Sequence, residues 1–507
     1  MKKYFVVFAT MMWSSGLFAQ QASSNTFLDA SFWKNNPDIT AIQAEIAKGN
    51  SPSELNRMAF DPTVMAINSG ASLDVIKYLL EQKGNDLNKL THDARTYIYW
   101  AGMKGNLPLV QYLIGKGANL NMEDSHGATP LSFSTNSENS LAVVKALVDG
   151  GADLKHSYQD GANLLLMAIG GDSDLKLTDY LVSKGLSLQS TDKNGATAFD
   201  YAARAGNLQV LKQLRDRKVK FSNSALLMAS EGTRRGSATL EVFQYLVELG
   251  IKPNATDAEG KNVLHNLLRR PGQTTIVNYF LEKGVSVNQA DKEGNTPFML
   301  ACEYNKDLTT IEKLVSLVDN INKKNNAGAT ALALAIKGNS ADVVSLLIGK
   351  GADVQTKDNK GNNLAYYLVE SFGRGGRGPG GPGGNPNGEP VKDEFAEKMQ
   401  ILKAKGVAFN AKQEDGNSLI YIAAAKESIP LMKKLQGLDI DVNAKNAEGM
   451  TALHKAALLA KDDNVLKYLL SIGADKNLKD EMDETAYDLA KENAFLSKKN
   501  ISIEFLK

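Results

Sequence analysis

The side chains that most often catalyse reactions or bind metals are few and scattered in this chain of 507 residues. The single cysteine, Cys302, excludes an internal disulfide framework and a multi-cysteine metal site. The five histidines stand at positions 92, 126, 156, 265 and 454. These histidines are far apart, and no serine-hydrolase elbow, His-Glu-x-x-His, phosphate-loop or paired-cysteine motif occurs. The sequence therefore predicts no catalytic residues, no metal site, no cofactor and no enzymatic activity.

One glycine-rich tract has the spacing of a nucleotide-binding motif. Residues 373–388 hold nine glycines and three prolines, and Gly373-x-Gly375-x-x-Gly378 matches a dinucleotide fingerprint as a string. That motif works only between a strand and the start of a helix, whereas here a predicted helix precedes it and prolines follow. Two arginines are also too few to favour an RNA-binding Arg-Gly segment. We predict a flexible insertion over 373–391, between one helix ending near Phe372 and another beginning at Glu394.

The overall composition limits the class of protein and of partner. Hydrophobic residues make up 43% and charged residues 23%, which is typical of a folded domain and not of a disordered chain. The 58 basic and 57 acidic residues leave a formal charge of +1. Because a nearly neutral chain has no global field to attract a polyanion, we expect no nucleic acid partner.

The first residues have the pattern of an export signal. Lys2 and Lys3 precede an apolar stretch from Tyr4 to Trp13, and a region of small residues ends at Ala19. This order predicts a signal peptide over 1–19, although Leu17 is larger than usual near a cleavage site; a buried N-terminal helix is the alternative. No later segment reaches 18 consecutive apolar residues, so we expect no membrane span after cleavage. The predicted location is the periplasm, with secretion as the alternative.

Two kinds of short sequence tract, which should position turns and helices, repeat along the chain. Similar tracts begin each unit, as in Asp124-Ser-His-Gly-Ala-Thr-Pro-Leu131 and Asp291-Lys-Glu-Gly-Asn-Thr-Pro-Phe298. The tract glycines stand at 127, 161, 195, 260, 294, 328, 361, 416 and 449, and most separations are 33 or 34 residues. A second tract closes the units, as in Tyr112-Leu-Ile-Gly-Lys-Gly-Ala-Asn119. In the opening tract, glycine favours a turn with positive φ, and threonine and proline favour a helix start.

With this period and these tracts, the chain resembles the ankyrin repeat family. The resemblance implies an all-α solenoid of stacked helix–turn–helix units joined by β-hairpin turns. We expect about twelve repeats over 57–479, capping helices over 20–56, and a C-terminal cap over 480–507. We also expect a monomer.

The resemblance also implies that hairpin tips and the exposed, concave side of the first helices bind a partner protein. Matching tip positions are Ser125, His126, Lys193, Asn194, Glu259, Lys292, Glu293, Asn359 and Lys360, with Gln159, Asp160, Ala258, Glu414, Asp415, Ala447 and Glu448 in the same row. Matching helix positions are Arg95, Met103, Lys104, Arg204, Glu303 and Tyr304.

Two further groups of residues allow a functional and a structural interpretation. Five arginines could form a basic strip for an acidic partner or an anionic glycan, or could simply be solvated cations at helix C-termini: Arg204, Arg234, Arg235, Arg269 and Arg270. Six aromatic residues could be exposed binding anchors or large core residues: Tyr97, Tyr99, Trp100, Tyr366, Tyr367 and Tyr421. By the resemblance, His265 and His454 should tie neighbouring turns together. Cys302 follows Ala301 where other units have a small buried residue, so we expect a buried, inert thiol.

The function expected from the resemblance is non-enzymatic protein recognition by an exported bacterial protein. We expect a scaffold of the cell envelope that binds another protein of the cell envelope. One alternative is a secreted factor that engages a foreign or host protein. The other alternative is an enzyme or small-ligand binder that uses a cleft between layers.

Overall fold

The computed structural model describes residues 25–137, 139–233, 236–373 and 392–507. The predicted signal peptide, residues 374–391 of the predicted insertion, and Arg234 and Arg235 lie outside this described part. Within it the secondary structure is helical, apart from isolated β-bridges such as Thr191 with Thr197. The predicted all-α class is therefore confirmed.

The chain divides into two compact units, which meet in the sequence at Ala198 and Phe199. The first unit holds α1 (Ala30–Lys34), α2 (Ile39–Ala47), α3 (Pro62–Ser69), α4 (Leu73–Leu80), α5 (Tyr97–Met103), α6 (Leu107–Gly115), α7 (Pro130–Phe133), α8 (Ser140–Asp149), α9 (Leu164–Ala168) and α10 (Lys176–Ser183). Short 3-10 turns lie at Thr26–Leu28, His92–Ala94 and Gln159–Gly161.

The second unit continues the alternation of short paired helices. It holds α11 (Ala198–Ala205), α12 (Leu208–Asp216), α13 (Ser224–Glu231), α14 (Leu240–Glu248), α15 (Val263–Leu267), α16 (Thr274–Glu282), α17 (Pro297–Tyr304), α18 (Leu308–Val315), α19 (Ala331–Gly338), α20 (Ala341–Gly349), α21 (Leu364–Ser371), α22 (Glu394–Ala404), α23 (Leu419–Ala425), α24 (Ile429–Leu435), α25 (Ala452–Leu459), α26 (Asn464–Ser471), α27 (Ala486–Glu492) and α28 (Ala494–Lys498), and a 3-10 turn at Glu504–Leu506. Along the described chain, α3 to α26 make twelve successive helix pairs, the number of repeats expected.

The opening tract forms a turn and then a helix start for local reasons. The carboxylate of Asp291 accepts hydrogen bonds from the backbone N–H groups of Glu293 (3.0 Å) and Asn295 (2.9 Å). Gly294 completes this turn with φ of 79°, a conformation that costs glycine little. The Thr296 hydroxyl then accepts from the N–H of Met299, and Pro297 occupies the first turn of α17.

Within each unit, helices pack on their pair mates and on the equivalent helices of adjacent pairs. In the first unit α5 contacts α3 and α7, while α6 contacts α8. In the second unit α19 contacts α17 and α21, and it buries Ala331, Ala333 and Ala335 completely. Alanine allows first helices to approach closely, so the core is a series of thin apolar layers.

The two chain ends have their own helices where caps are predicted. At the N-terminal end Phe27, Trp33 and Ile42 are buried, and the Trp33 indole donates to the carbonyl of Phe27 at 2.7 Å. At the other end Leu496 and Leu506 are buried beside α27. Each end therefore covers one face of the neighbouring layer.

The predicted insertion separates two helices of one pair. Helix α21 ends at Ser371 and α22 begins at Glu394, close to the predicted limits, and the two helices contact each other. Among the described residues, a helix and not a strand lies before Gly373.

Candidate partner-binding surface

Hydrogen bonds between backbones link consecutive hairpin tips. In the second unit, the N–H of Lys292 donates to the carbonyl of Glu259 at 2.8 Å, and the N–H of Asn326 donates to Glu293 at 2.9 Å. The same N–H to carbonyl bond recurs in the second unit from Asn359 to Ala327 (3.0 Å), from Ala447 to Asp415 (3.0 Å) and from Glu481 to Glu448 (3.2 Å). In the first unit it joins Ser125 to Asp93 (2.9 Å) and Lys193 to Asp160 (2.8 Å). We call this arrangement the tip ladder.

The tip ladder fixes the backbone and does not depend on the identity of the tip side chains. Its donors and acceptors are main-chain atoms, so the side chains can vary without loss of the bonds. Asparagine amides reinforce it in the second unit, where Asn326 Nδ2 donates to the carbonyl of Lys292 and Asn359 Nδ2 donates to Asn326, both at 2.8 Å. The side-chain amide of Asn359, a predicted binding residue, is therefore engaged in a hydrogen bond to the neighbouring tip.

The predicted tip residues all lie on the surface of their units. The exposed set is Ser125, His126, Lys193, Asn194, Glu259, Lys292, Glu293, Asn359 and Lys360. Some interact with each other or with neighbouring turns: Lys292 Nζ lies 3.6 Å from Glu259 Oε1, and His126 Nε2 lies 3.3 Å from Asp93 Oδ2. Exposed ion pairs of this kind contribute little to stability, so these side chains remain available to a partner.

The predicted first-helix residues differ in accessibility. Lys104, Arg204 and Tyr304 are exposed, whereas Met103 and Glu303 are half-buried. The Arg204 guanidinium lies 3.4 Å from Glu231. These positions point away from the layer cores and are compatible with partner contact.

Arg95 has a structural environment that the sequence does not reveal. It is only 9% exposed, its Nε donates to Asp124 Oδ2 at 2.7 Å, and its Nη1 lies 3.1 Å from Asp93. Its guanidinium also lies 4.4 Å from the centre of the Phe133 ring. Arg95 therefore connects two turns and offers little surface to a partner.

The described arginines of the predicted basic strip have different neighbours. Arg269 lies 4.7 Å over the ring of Tyr304, and Arg204 pairs with Glu231. The Arg270 Nη1 atom is buried without a hydrogen-bond partner among the described residues. Burial raises the pKa of Glu231, while Arg204 and Arg270 oppose that change. A role of this strip in binding stays a prediction.

The hypothesis of exposed aromatic anchors is wrong for five of the six residues. Tyr97 and Tyr99 are fully buried, Trp100 is 4% exposed, and Tyr367 and Tyr421 are each 7% exposed. The Tyr97 hydroxyl donates to Asp61 at 2.6 Å, and the Trp100 indole donates to Thr91 at 2.9 Å. These five rings belong to the core, and of the six residues only Tyr366 is partly accessible.

The two histidines of the opening tracts tie turns together, as expected. The Nδ1 of His265 accepts from the N–H of Asn262 at 3.0 Å, and its Nε2 lies 3.2 Å from the carbonyl of Asn295 in the next turn. His454 makes the same pair of contacts with Thr451 (3.2 Å) and with the carbonyl of Glu484 (3.1 Å). Burial lowers the pKa of both imidazoles, which keeps them neutral in these roles.

A buried lysine was missed by the sequence reasoning. Lys398 of α22 is 4% exposed, and its ammonium donates to the carbonyls of Ile336 (2.8 Å) and Asn339 (3.0 Å) at the end of α19. Burial lowers its pKa to about 8. No local pattern signals this contact, because the partners lie about sixty positions earlier in the chain.

The second unit also contains an open groove of about 710 Å³ beside the tip ladder. We call it the tip groove; its lining includes Lys360, Tyr366, Glu414, Tyr421, Glu448 and Lys455. It combines an aromatic floor with charged rims, which suits an extended polypeptide better than a small rigid ligand.

Other sites for chemistry are scarce in the described part of the chain. There, no group of three or more His, Cys, Asp or Glu residues is placed to hold a metal ion. Cys302 is buried, and burial raises the pKa of its thiol. Among the same residues, we find no helix with the length and apolar character needed to cross a membrane.

Comparison with known proteins identifies the repeats. The family model described as "Ankyrin repeats (3 copies)" matches residues 63–158, 133–225, 226–325, 264–358, 299–374 and 391–480, which together make up most of the chain.

Individual relatives share only part of their length with this chain. It is 26% identical over 159 residues to human transient receptor potential cation channel subfamily A member 1, covering 31% of this chain and 13% of the channel. It is 26% identical over 170 residues to human neurogenic locus notch homolog protein 1 (33% and 6%), and 37% identical over 105 residues to alpha-latroinsectotoxin-Lt1a of Latrodectus tredecimguttatus (20% and 7%). The chain thus spans a small fraction of these relatives. From the family match and the repeated helix pairs, the chain belongs to the ankyrin repeat family.

Proposed function

We propose that this chain is a non-enzymatic scaffold, exported to the bacterial cell envelope, that binds another protein through its hairpin tips and the exposed side of its first helices. Membership of the ankyrin repeat family implies a protein–protein interaction scaffold. The proposed export rests on the predicted signal peptide over 1–19, and the partner is proposed to be a protein of the same compartment.

The tip ladder is the observation that best supports this proposal. It holds consecutive tips at hydrogen-bonding distance, so the exposed side chains of each unit form an ordered row. A surface ordered before binding loses little conformational entropy when a partner docks. The tips carry charged and polar side chains of both signs, which can give specificity through complementary contacts.

The test is a pull-down from fractionated cells that express the tagged full chain. We expect the chain in the periplasmic fraction with one specific partner, and we expect Lys193→Glu with Lys292→Glu to reduce the recovery of that partner. The matched control is Lys145→Glu with Lys283→Glu, which makes the same charge change on one exposed lysine in the second helix α8 and on one directly after the second helix α16. Recovery that is equal for both double variants would contradict binding through the tips.

A further inference from the structure

The tip groove differs from the rest of the tip ladder in its shape and in its charges. It lies where the turns at 358–362, 413–417 and 446–449 meet the first helices α21, α23 and α25 of the second unit. With a volume of about 710 Å³ it has room for several residues of an extended chain.

The floor of the tip groove is apolar and aromatic. Tyr421 is the most buried aromatic residue of the lining and is 7% exposed, while Tyr366, Ile422 and Ala425 are partly exposed. Such a surface can cover the aliphatic part of a long side chain or a neighbouring apolar residue.

The rim of the tip groove carries three exposed carboxylates on two consecutive tips. Asp415 is occupied within its own turn, since its carboxylate accepts from the backbone and side-chain nitrogens of Asn417 at 3.0 and 2.6 Å. Glu414 and Glu448 make no ion pair within the described residues, unlike Glu259, which faces Lys292. Burial raises the pKa of Tyr421 most, and the negative charges of Glu448 and Asp415 raise it further. These two carboxylates therefore act electrostatically on the phenol at the floor of the groove.

The lysines near the groove do not pair with the carboxylates of Glu414 and Glu448. Lys360 and Lys455 belong to the lining, but within the described residues neither forms an ion pair with Glu414 or Glu448. Lys412 and Lys445 lie on the same hairpins, outside the lining, and each donates to a backbone carbonyl at 2.9 and 2.7 Å. The lining therefore contains three carboxylates and two ammonium groups, with the free carboxylates on adjacent tips.

We infer that the tip groove binds an extended segment of the partner protein in which a lysine or arginine stands next to an apolar residue. The cationic end would lie between Glu414 and Glu448, and the aliphatic stem and its neighbour would pack on Tyr421 and Ile422. This inference rests on the proposed function, because it names the chemistry of the segment that a protein partner presents.

The experiment selects peptides from a random twelve-residue phage library on the immobilised full chain. The chain is used as wild type, as Glu414→Gln with Glu448→Gln, and as Glu241→Gln with Glu282→Gln. The last variant is the matched control, because it makes the same change at exposed positions of the second helices α14 and α16, outside the tips and the groove lining. Circular dichroism first establishes that the three proteins are equally folded.

We expect the wild type to enrich peptides with a basic residue beside an apolar one. The best peptide, synthesised with a fluorescent label, should bind Glu414→Gln with Glu448→Gln about tenfold more weakly than the wild type at low salt, and the control within about twofold. Its affinity for the wild type should fall as salt is raised. Failure to enrich any motif, enrichment without basic residues, or equal affinity for all three proteins would overturn the inference.

Failure of this inference and failure of the proposed function give different results. If peptide selection fails while a pulled-down partner still depends on Lys193 and Lys292, the groove assignment is wrong and the scaffold proposal stands. If no partner depends on any tip residue, the scaffold proposal itself is wrong.

Discussion

The guanidinium of Arg95 and the carboxylate of Asp124 form an ion pair, with Nε 2.7 Å from Oδ2, that connects two consecutive hairpin turns of the first unit. The Asp124 side chain is fully buried, and its other oxygen accepts from the backbone N–H groups of His126 and Ala128 at 2.9 Å each. One buried carboxylate thus shapes its own turn and holds the arginine of the preceding one.

Replacing Arg95 by methionine should destabilise the first unit strongly. The substitution keeps much of the apolar stem but leaves Asp124 buried without its cation, and breaking one partner of a buried pair costs about 3–5 kcal/mol. Thermal unfolding of the full chain should show a lower first transition. Lys104→Met, at an exposed position just after α5, is the control and should shift it little. Similar melting of both variants would contradict a structural role for Arg95.

The buried amine of Lys398 should make stability depend on pH in the alkaline range. The pKa of Lys398 in the folded chain is about 8, below the ordinary lysine value of 10.5, so the unfolded chain binds more protons between these two pH values. Stability should therefore rise as pH increases from about 8 to 10.5, by at most ~3 kcal/mol from this group.

The comparison that isolates Lys398 uses two lysines of the same helix. Urea unfolding between pH 7.5 and 10 should show a shallower rise for Lys398→Met than for the wild type, whereas exposed Lys403→Met should follow the wild type. Parallel curves for all three proteins would show that the Lys398 amine does not titrate in this range.

Local signals explain how much of this fold could be predicted. The turn and the helix start follow from the sequence, because they depend on hydrogen bonds and backbone angles within a few residues. These are the contacts of Asp291 and Thr296 and the positive φ of Gly294. The limits of the insertion follow in the same way, since Gly373 begins a tract that cannot continue a helix.

The burial of several side chains could not be predicted, because it depends on contacts with residues of other repeats. Arg95 matches a first-helix binding position of the family, and only the placement of Asp93 and Asp124 around it shows that it is buried. The burial of Tyr97 depends on Asp61, and that of Lys398 on the carbonyl of Ile336, both in different pairs. The tip ladder itself uses backbone atoms, so no residue type identifies it.

Neutral histidines in the turns should make the fold sensitive to mild acid. Burial lowers the pKa of His265 and of His454 in the folded chain below the ordinary histidine value of 6.5. As pH falls below 6.5, the unfolded chain takes up protons that the folded chain resists, and stability is lost. His265→Gln with His454→Gln should cost about 1–2 kcal/mol per site at pH 7.5, through the weakened hydrogen bonds. The double variant should lose less additional stability than the wild type between pH 7 and 5; an equal or larger loss would argue against neutral imidazoles.

The tip ladder should depend on a glycine at its closest approach. Gly328 has φ of 83°, and a Cβ added there would lie 2.4 Å from the backbone nitrogen of Asn359. Gly328→Ala should destabilise the second unit by about 2 kcal/mol, from the positive φ and displacement of the ladder bond to Ala327. Hydrogen exchange at the Asn359 amide should accelerate in this variant.

The matched control for this prediction is Gly349→Ala in α20. Gly349 has an ordinary helical environment with open space around the added atom, and alanine favours helix. This variant should be as stable as the wild type or slightly more stable. If Gly328→Ala behaves in the same way, the tip ladder contributes little to the fold.

Photo-crosslinking in intact cells tests most directly whether the tips bind a partner. A photoreactive amino acid is placed in turn at Lys193, Lys292 and Asn359, and at Gln111 and Gln244 on exposed positions of the second helices α6 and α14. We predict that the tip positions capture the same partner protein, identified by mass spectrometry, and that Gln111 and Gln244 do not. Capture of that partner only from the second helices, or of no specific protein from any tip, would contradict recognition through the hairpin tips.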